Sequence, residues 1–239
     1  EGKSLISILI SKTFSELDKK VLTIDCDLRR PQIHKRLNLD NIVGISDLIT
    51  QKDLKIEDAV QSVEGYSNWD VITTGTIPPD PTKLLSSSNF KNLLETLKSN
   101  HDYEYIIIDT PPLLGLSDTL FVLDKIDTCL MVTTISFVNR SLPITSNKII
   151  KNINIPYKGF IVNNKSVDST RNFQSVYGNY SNYAYGEYSL SNIYGNYGKD
   201  VSPKDSDKED LINTDKINFN KIKTKIFNVI KMIIKNFND

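Results

Sequence analysis

Cysteine is scarce in this sequence. Two cysteines in 239 residues, far apart along the chain, exclude a disulfide scaffold and most zinc sites. No apolar run reaches the roughly 18 residues of a transmembrane helix, and we expect no signal peptide at the start. An excess of one charge is also lacking, since 29 Lys and Arg residues face 29 Asp and Glu residues. Because general nucleic-acid binders usually carry a basic excess, this balance argues against a nucleic-acid partner.

What the sequence does contain is an alternation of short apolar runs and helical patterns. The runs are rich in β-branched residues and nearly continuous, which is typical of strands covered on both faces. They predict an α/β domain with a mostly parallel sheet between two helical layers, in which ligands lie beyond the carboxyl ends of the strands. Strands are predicted at 21–27, 69–75, 105–111, 128–134 and 158–164, and helices at about 4–18, 83–99, 117–124 and 141–153.

The composition changes after about residue 165. We divide the chain into one domain, 1–165, a Tyr-rich segment, 166–198, a charged linker, 199–210, and a basic segment, 211–239. Residues 166–198 contain few aliphatic side chains to bury, so we expect this segment to be flexible. The apolar residues of 211–239 have helical spacing, which indicates an amphipathic helix that lies on an anionic membrane or docks on protein.

The chain opens with Glu1-Gly2-Lys3-Ser4 and runs directly into a helical pattern. This is the second half of the phosphate-binding loop G-x-x-x-x-G-K-[ST], in which backbone amides and the helix start bind phosphates. We expect the first glycine to precede residue 1 and the chain to be a fragment of a longer protein. The alternative is an ordinary helix start with Ser4 as its N-cap.

Carboxylates end two of the predicted strands. Asp25 and Asp27 lie two residues apart and would face one side of the first strand, while Asp109 ends the third predicted strand. Magnesium prefers oxygen ligands and uses one or two carboxylates together with substrate phosphates. These side chains and the phosphate loop therefore predict a Mg²⁺–nucleotide site.

These motifs resemble those of the bacterial tyrosine kinases of capsular and exopolysaccharide systems, which are P-loop proteins unrelated to eukaryotic protein kinases. Gly2-Lys3-Ser4 matches the family's phosphate loop, 21–31 its D-x-D-x-R segment, and 106–112 its Walker B strand. The stretches 44–48, 74–87 and 159–163 also match, so that the resemblance covers roughly residues 1–165.

The resemblance implies a role for each matching residue. The implied ATP-binding residues are Gly2, Lys3, Ser4 and Asn163. The implied Mg²⁺ ligands, partly through water, are Ser4, Asp27 and Asp109. Asp25, Asp27 and Lys3 would act in catalysis, with Asp25 as the base that accepts the tyrosine proton. Arg29 and Arg30 would contact phosphates or a neighbouring subunit, or lie in solvent.

Tyrosines cluster in the segment 166–198, as they do near the end of this kinase family. The implied phosphoacceptors are Tyr177, Tyr180, Tyr183, Tyr185, Tyr188, Tyr194 and Tyr197. Read without the resemblance, the same stretch is a low-complexity Tyr/Asn/Gly segment with no enzymatic role.

The resemblance implies an ATP-dependent protein-tyrosine autokinase that regulates polysaccharide polymerisation or export. Its partners would be copies of itself in a ring and a membrane polysaccharide co-polymerase, fused upstream or separate, at the cytoplasmic face of the bacterial plasma membrane. Two alternatives stay open at this point: a partitioning or positioning ATPase switch of the deviant-Walker class, and a non-catalytic scaffold.

Overall fold

The structure, a computed structural model, describes residues 1–99, 102–134, 141–153 and 155–163. The Tyr-rich segment, the charged linker and the basic segment therefore lie outside the described residues, as do all seven predicted phosphoacceptors. Within the described residues no helix is long and apolar enough to cross a membrane.

Helices alternate with strands along the chain, as the sequence predicts. The helices are α1 Lys3–Glu16, α2 Ile33–Leu37, α3 Ile45–Thr50, α4 Pro81–Leu85, α5 Ser88–Ser99, α6 Asp118–Leu123 and α7 Ser141–Ile153, with a 3₁₀ turn at Ile56–Asp58. The strands are β1 Val21–Asp25, β2 Val60–Ser62, β3 Trp69–Ile72, β4 Tyr105–Asp109, β5 Cys129–Thr134 and β6 Tyr157–Asn163.

The strands form two sheets. One has the order β2-β3-β1-β4, in which β1 pairs in parallel with both β3 and β4. The other pairs β5 with β6, also in parallel. A largely apolar groove of about 860 Å³ is lined by residues of both β4 and β5. Among the described residues no strand joins these two edges by backbone hydrogen bonds, so the parallel sheet predicted as one is divided.

Alternating residues of β1 point into two cores, one on each face of the sheet. Leu22 and Ile24 pack with Phe90 and Leu94 of α5, whereas Val21 packs with side chains of α1. Full burial of such an aliphatic side chain contributes about 1.5–3 kcal/mol. The predicted three-layer α/β architecture is confirmed.

The sequence prediction of local structure was wrong at one helix and missed short elements, among them α2, α3 and β2. The single helix expected at 83–99 is two helices, α4 and α5, because the Ser87 hydroxyl accepts a hydrogen bond from the Phe90 amide (3.2 Å) and starts a new helix there. The antiparallel strand β2 was missed, since three residues of mixed polarity give no apolar signal.

Candidate active site

The helix α1 begins at the Gly-Lys-Ser sequence. Gly2 has a φ of +94°, a conformation that favours glycine, and a Cβ there would lie 2.6 Å from Asn163 Nδ2 and displace that amide. The Asn163 amide donates to the Glu1 carbonyl at 3.0 Å, which holds the chain start against the end of β6. A helix N-terminus presents unpaired backbone amides, and these favour an anion.

Lys3 has a carboxylate partner in this structure. Its Nζ lies 3.0 Å from Glu1 Oε2, and both side chains are only partly exposed. A phosphate group carries more charge than a carboxylate and offers more acceptor oxygens. Lys3 could therefore exchange Glu1 for a phosphate without losing its charge pairing.

Asp25 and Asp109 lie side by side at the carboxyl ends of β1 and β4. They are register partners in the parallel pairing, and the Cys26 amide donates to the Asp109 carbonyl at 2.9 Å. Asp25 is fully buried and Asp109 is 2% exposed. Strand order thus brings together two carboxylates that are 84 positions apart in the chain.

Asp27 reaches the same site by a route that the sequence did not predict. We expected it on the strand, but β1 ends at Asp25 and Asp27 begins a turn. Its amide donates to Asp25 Oδ1 at 3.2 Å, because the chain folds back over the strand end. Cys26, which lies between these two aspartates in the sequence, points into the core.

Asp25 also supports the start of α2. Its Oδ2 accepts hydrogen bonds from the amides of Gln32 (3.2 Å) and Ile33 (3.1 Å). These bonds shape the segment that follows β1, which is the helix-capping role that an isolated aspartate often has.

Burial raises the pKa of Asp25 to about 7, and the negative charge of Asp109 adds to this effect. The backbone amides that bind its carboxylate lower the pKa but do not offset the burial. The pKa of Asp109 is also raised by burial, while the Ser4 hydroxyl, the Lys3 charge and the Ser7 hydroxyl lower it. Two buried carboxylates in contact favour retention of a proton when no cation is present.

The carboxylate of Asp109 has one oxygen held and one oxygen free. Oδ1 accepts a hydrogen bond from Ser7 Oγ at 3.2 Å, whereas Oδ2 is buried and has no hydrogen-bond partner among the described residues. The hydroxyl of Ser4 also lies near this carboxylate and lowers its pKa. An orphaned carboxylate oxygen beside a hydroxyl fits a magnesium ion, which binds few protein oxygens and retains several waters. No cluster of three or more acidic, His or Cys residues that could hold a metal ion occurs in the described part of the chain.

Sequence reasoning missed two features of this site. Ser7 lies one helical turn after Ser4, which is the signal that could have identified it. Arg29 was expected at a phosphate, at a subunit contact or in solvent. Its side chain is 8% exposed, which contradicts the position in solvent, and it forms an ion pair with Asp118, 89 positions away, so no local pattern could have shown the pair.

Comparison with known proteins identifies the family of the chain. The model of the "AAA domain" family matches residues 1–153. The tyrosine-protein kinase ptk of Acinetobacter johnsonii is 36% identical over 164 residues, which are 68% of this chain and 22% of ptk. The tyrosine-protein kinase YwqD of Bacillus subtilis is 32% identical over 180 residues, 75% of this chain and 73% of YwqD. The chain thus spans about a fifth of one relative and most of the other.

Solved structures give the same assignment. The kinase domain of the Escherichia coli tyrosine kinase ETK matches with a TM-score of 0.64 and 30% identity, covering 72% of this chain and 67% of that one. The septum site-determining protein MinD of Pyrococcus horikoshii, solved with Mg-ADP, has a TM-score of 0.57 but only 20% identity and shares the fold alone; the match covers 74% of this chain and 72% of MinD. The chain therefore belongs to the AAA-domain family and, within it, to the bacterial tyrosine-protein kinases.

Proposed function

We propose that this chain is the kinase domain of an ATP-dependent protein-tyrosine autokinase that regulates the polymerisation or export of a capsular or exopolysaccharide. The observation that carries this proposal is the position of Asp109. Its free Oδ2 is buried beside Asp25 and near the start of α1, where Lys3 and Ser4 lie. A phosphate anion and a divalent cation would both find complementary groups there.

The start of α1 would bind the phosphates of ATP. Backbone amides following Gly2 and the ammonium of Lys3 would neutralise charge on the β- and γ-phosphates. Ser4, Asp27 and Asp109 would hold Mg²⁺, partly through water. When bound, the ion neutralises charge on the transferred phosphoryl group. Asn163 joins the ATP site through its bond to the Glu1 carbonyl.

Asp25 would act as the base. The hydroxyl of the acceptor tyrosine loses its proton to the Asp25 carboxylate as its oxygen bonds to the γ-phosphorus. The bond from that phosphorus to the β,γ-bridging oxygen breaks, and ADP leaves. A carboxylate with a pKa of about 7 suits this role, because general bases work best with a pKa near the operating pH.

The acceptors would be the tyrosines between 177 and 197 of a neighbouring subunit in a ring. Each phosphate adds about 1.5 to 2 negative charges, so that several on one segment would repel one another and loosen the assembly. A membrane polysaccharide co-polymerase would be the other partner, at the cytoplasmic face of the plasma membrane.

Phosphate mapping tests the proposal. The protein, expressed with the residues that complete the phosphate loop, is incubated with ATP and Mg²⁺, and modified tyrosines are located by mass spectrometry. We expect phosphate on residues 177–197, lost in Asp25→Asn and Asp109→Asn. The matched control is Asp70→Asn, because Asp70 hydrogen-bonds Ser62 and Tyr103 near the opposite end of the sheet.

The two alternatives predict different results. ATP hydrolysis without phosphotyrosine would overturn the kinase proposal in favour of an ATPase switch. A folded protein with neither activity would favour a scaffold.

A further inference from the structure

Arg29, Asp118 and Thr82 form a partly buried cluster, which we call the Arg29 clamp. Arg29 Nε donates to Asp118 Oδ2 at 2.6 Å and Arg29 Nη2 to Asp118 Oδ1 at 3.2 Å. Nη2 also donates to Thr82 Oγ1 at 3.0 Å, and Thr82 Oγ1 donates to Asp118 Oδ1 at 2.6 Å. The side chains of Arg29 and Asp118 are 8% and 1% exposed. The guanidinium therefore binds its carboxylate in the two-pronged geometry that fixes orientation as well as charge.

The clamp ties together three loops at the carboxyl edge of the sheet. Arg29 lies in the turn after β1, Thr82 in the first turn of α4 after β3, and Asp118 at the start of α6 after β4. The loop after β4 is held at a second point, where Thr119 Oγ1 donates to the Pro111 carbonyl at 2.8 Å. The strands β3, β1 and β4 are neighbours, so the clamp links the segments that follow three adjacent strands of the sheet.

The turn that Arg29 anchors also carries Asp27. The Arg30 amide donates to Asp27 Oδ1 at 3.0 Å and to the Asp27 carbonyl at 3.2 Å. The Asp27 amide in turn donates to Asp25 Oδ1. Asp27 is therefore held on one side by its hydrogen bond to Asp25. On the other side it is held by the turn that ends at Arg30, the residue that follows Arg29 of the clamp.

We propose that Arg29 is a positioning residue that, through Asp118 and Thr82, sets the orientation of Asp27 toward the magnesium position. The inference rests on the proposed function for the identity of that cation. A purely structural ion pair would contribute only stability, and buried pairs of this kind can often be replaced by apolar groups at little cost in stability. The positioning role instead predicts a specific loss in the use of Mg²⁺, because outer-shell partners orient metal ligands.

The test compares Arg29→Lys, Asp118→Asn and Thr82→Val with Thr82→Ser, which retains the hydroxyl. Binding of a fluorescent ADP analogue is titrated with and without Mg²⁺, so no phosphoryl transfer is required. Amide hydrogen exchange of residues 26–32 is measured in the ligand-free protein. The stability control is Asn68→Ala, since Asn68 binds the carbonyls of Ser15 and Lys19 at the opposite edge of the sheet.

We expect the first three variants to need about tenfold more Mg²⁺ for half-maximal binding, with Mg²⁺-free binding unchanged. Exchange at 26–32 should accelerate in them, while Thr82→Ser behaves like the wild type and Asn68→Ala loses only stability. Equal Mg²⁺ requirements in Arg29→Lys and Asn68→Ala would overturn the positioning role of Arg29 and leave the proposed function intact. A raised Mg²⁺ requirement in the three variants, when the wild type forms no phosphotyrosine, would support the positioning role of Arg29 and overturn the kinase proposal.

Discussion

The carboxylates of Asp25 and Asp109 are neighbours because β1 and β4 pair in parallel with these two residues in register. Burial raises the pKa of both, and the negative charge of Asp109 raises the pKa of Asp25 further. Such a pair is poorly stable as two anions and gains stability from a proton or a cation. Protonation of this pair, or binding of a cation to it, should therefore change the stability of the fold.

Stability should fall as the pH rises from about 4 to 7. The pKa of Asp25 is 3.8 when exposed and about 7 when folded, so the folded state retains a proton that the unfolded state has lost. The free energy of unfolding then falls by up to ~1.4 kcal/mol per pH unit and levels off above pH 7. Asp109 shifts in the same direction. Urea unfolding, followed by fluorescence of the single, buried Trp69, measures this.

Asp25→Asn is the control for this pH dependence. Asparagine does not titrate, so the slope should decrease between pH 4 and 7, and added Mg²⁺ should decrease it in the wild type. An unchanged slope in Asp25→Asn would show that Asp25 is not the titrating group.

Ser7→Ala should impair magnesium use more than stability. The change removes the hydroxyl that holds Asp109 Oδ1, which costs about 1 kcal/mol as one lost hydrogen bond. A less firmly oriented Asp109 carboxylate would raise the Mg²⁺ concentration for half-maximal nucleotide binding about tenfold. The control is Ser11→Ala, because Ser11 bonds the Ser7 carbonyl in the same helix and lacks a bond to Asp109. Similar Mg²⁺ requirements in the two variants would contradict this role of Ser7.

Gly75→Ala should be much more destabilising than Gly65→Ala. Both glycines have positive φ, +74° and +81°, so an alanine at either costs about 1–2 kcal/mol in backbone strain. At Gly75 a Cβ would also overlap Asp47 Oδ2 and lie 2.5 Å from the Gly44 amide, whereas nothing lies within 4 Å at Gly65. We expect an additional loss of at least about 2 kcal/mol from overpacking, measured by urea unfolding. Equal losses would mean that the Asp47 side chain and the Gly44 backbone move to make room for the Cβ.

Thr23→Val should destabilise the core because a hydrogen bond is lost, not because the side-chain volume changes. Trp69 Nε1 donates to Thr23 Oγ1 at 2.8 Å, and that hydroxyl donates to Ser11 Oγ at 2.7 Å. Valine leaves the indole N–H buried without an acceptor, at a cost of about 1–3 kcal/mol. The control is Thr13→Val, because the Thr13 hydroxyl bonds only a carbonyl of its own helix. If both variants lose the same stability, the indole bond contributes nothing.

Much of the fold could be predicted because its signals are local. The apolar run of β1 and the aspartates that follow it predicted both a buried strand and a site at its end. The helix α7 has the predicted bounds, 141–153, since its apolar spacing is regular. The strand β2 gave no such signal, because its three residues acquire strand structure only by pairing with β3.

The sequence by itself determined the layered α/β architecture, the phosphate-loop start of α1 and the residue types of the candidate site, because each is written in neighbouring residues. Tertiary structure alone decided that Asp25 adjoins Asp109, that Asp27 reaches the site from a turn, and that Arg29 is buried against Asp118. The Asp25–Asp109 and Arg29–Asp118 contacts join segments that lie far apart in the chain. They depend on strand order and on the low polarity of the interior, where an unpaired charge is costly, and no local pattern encodes either.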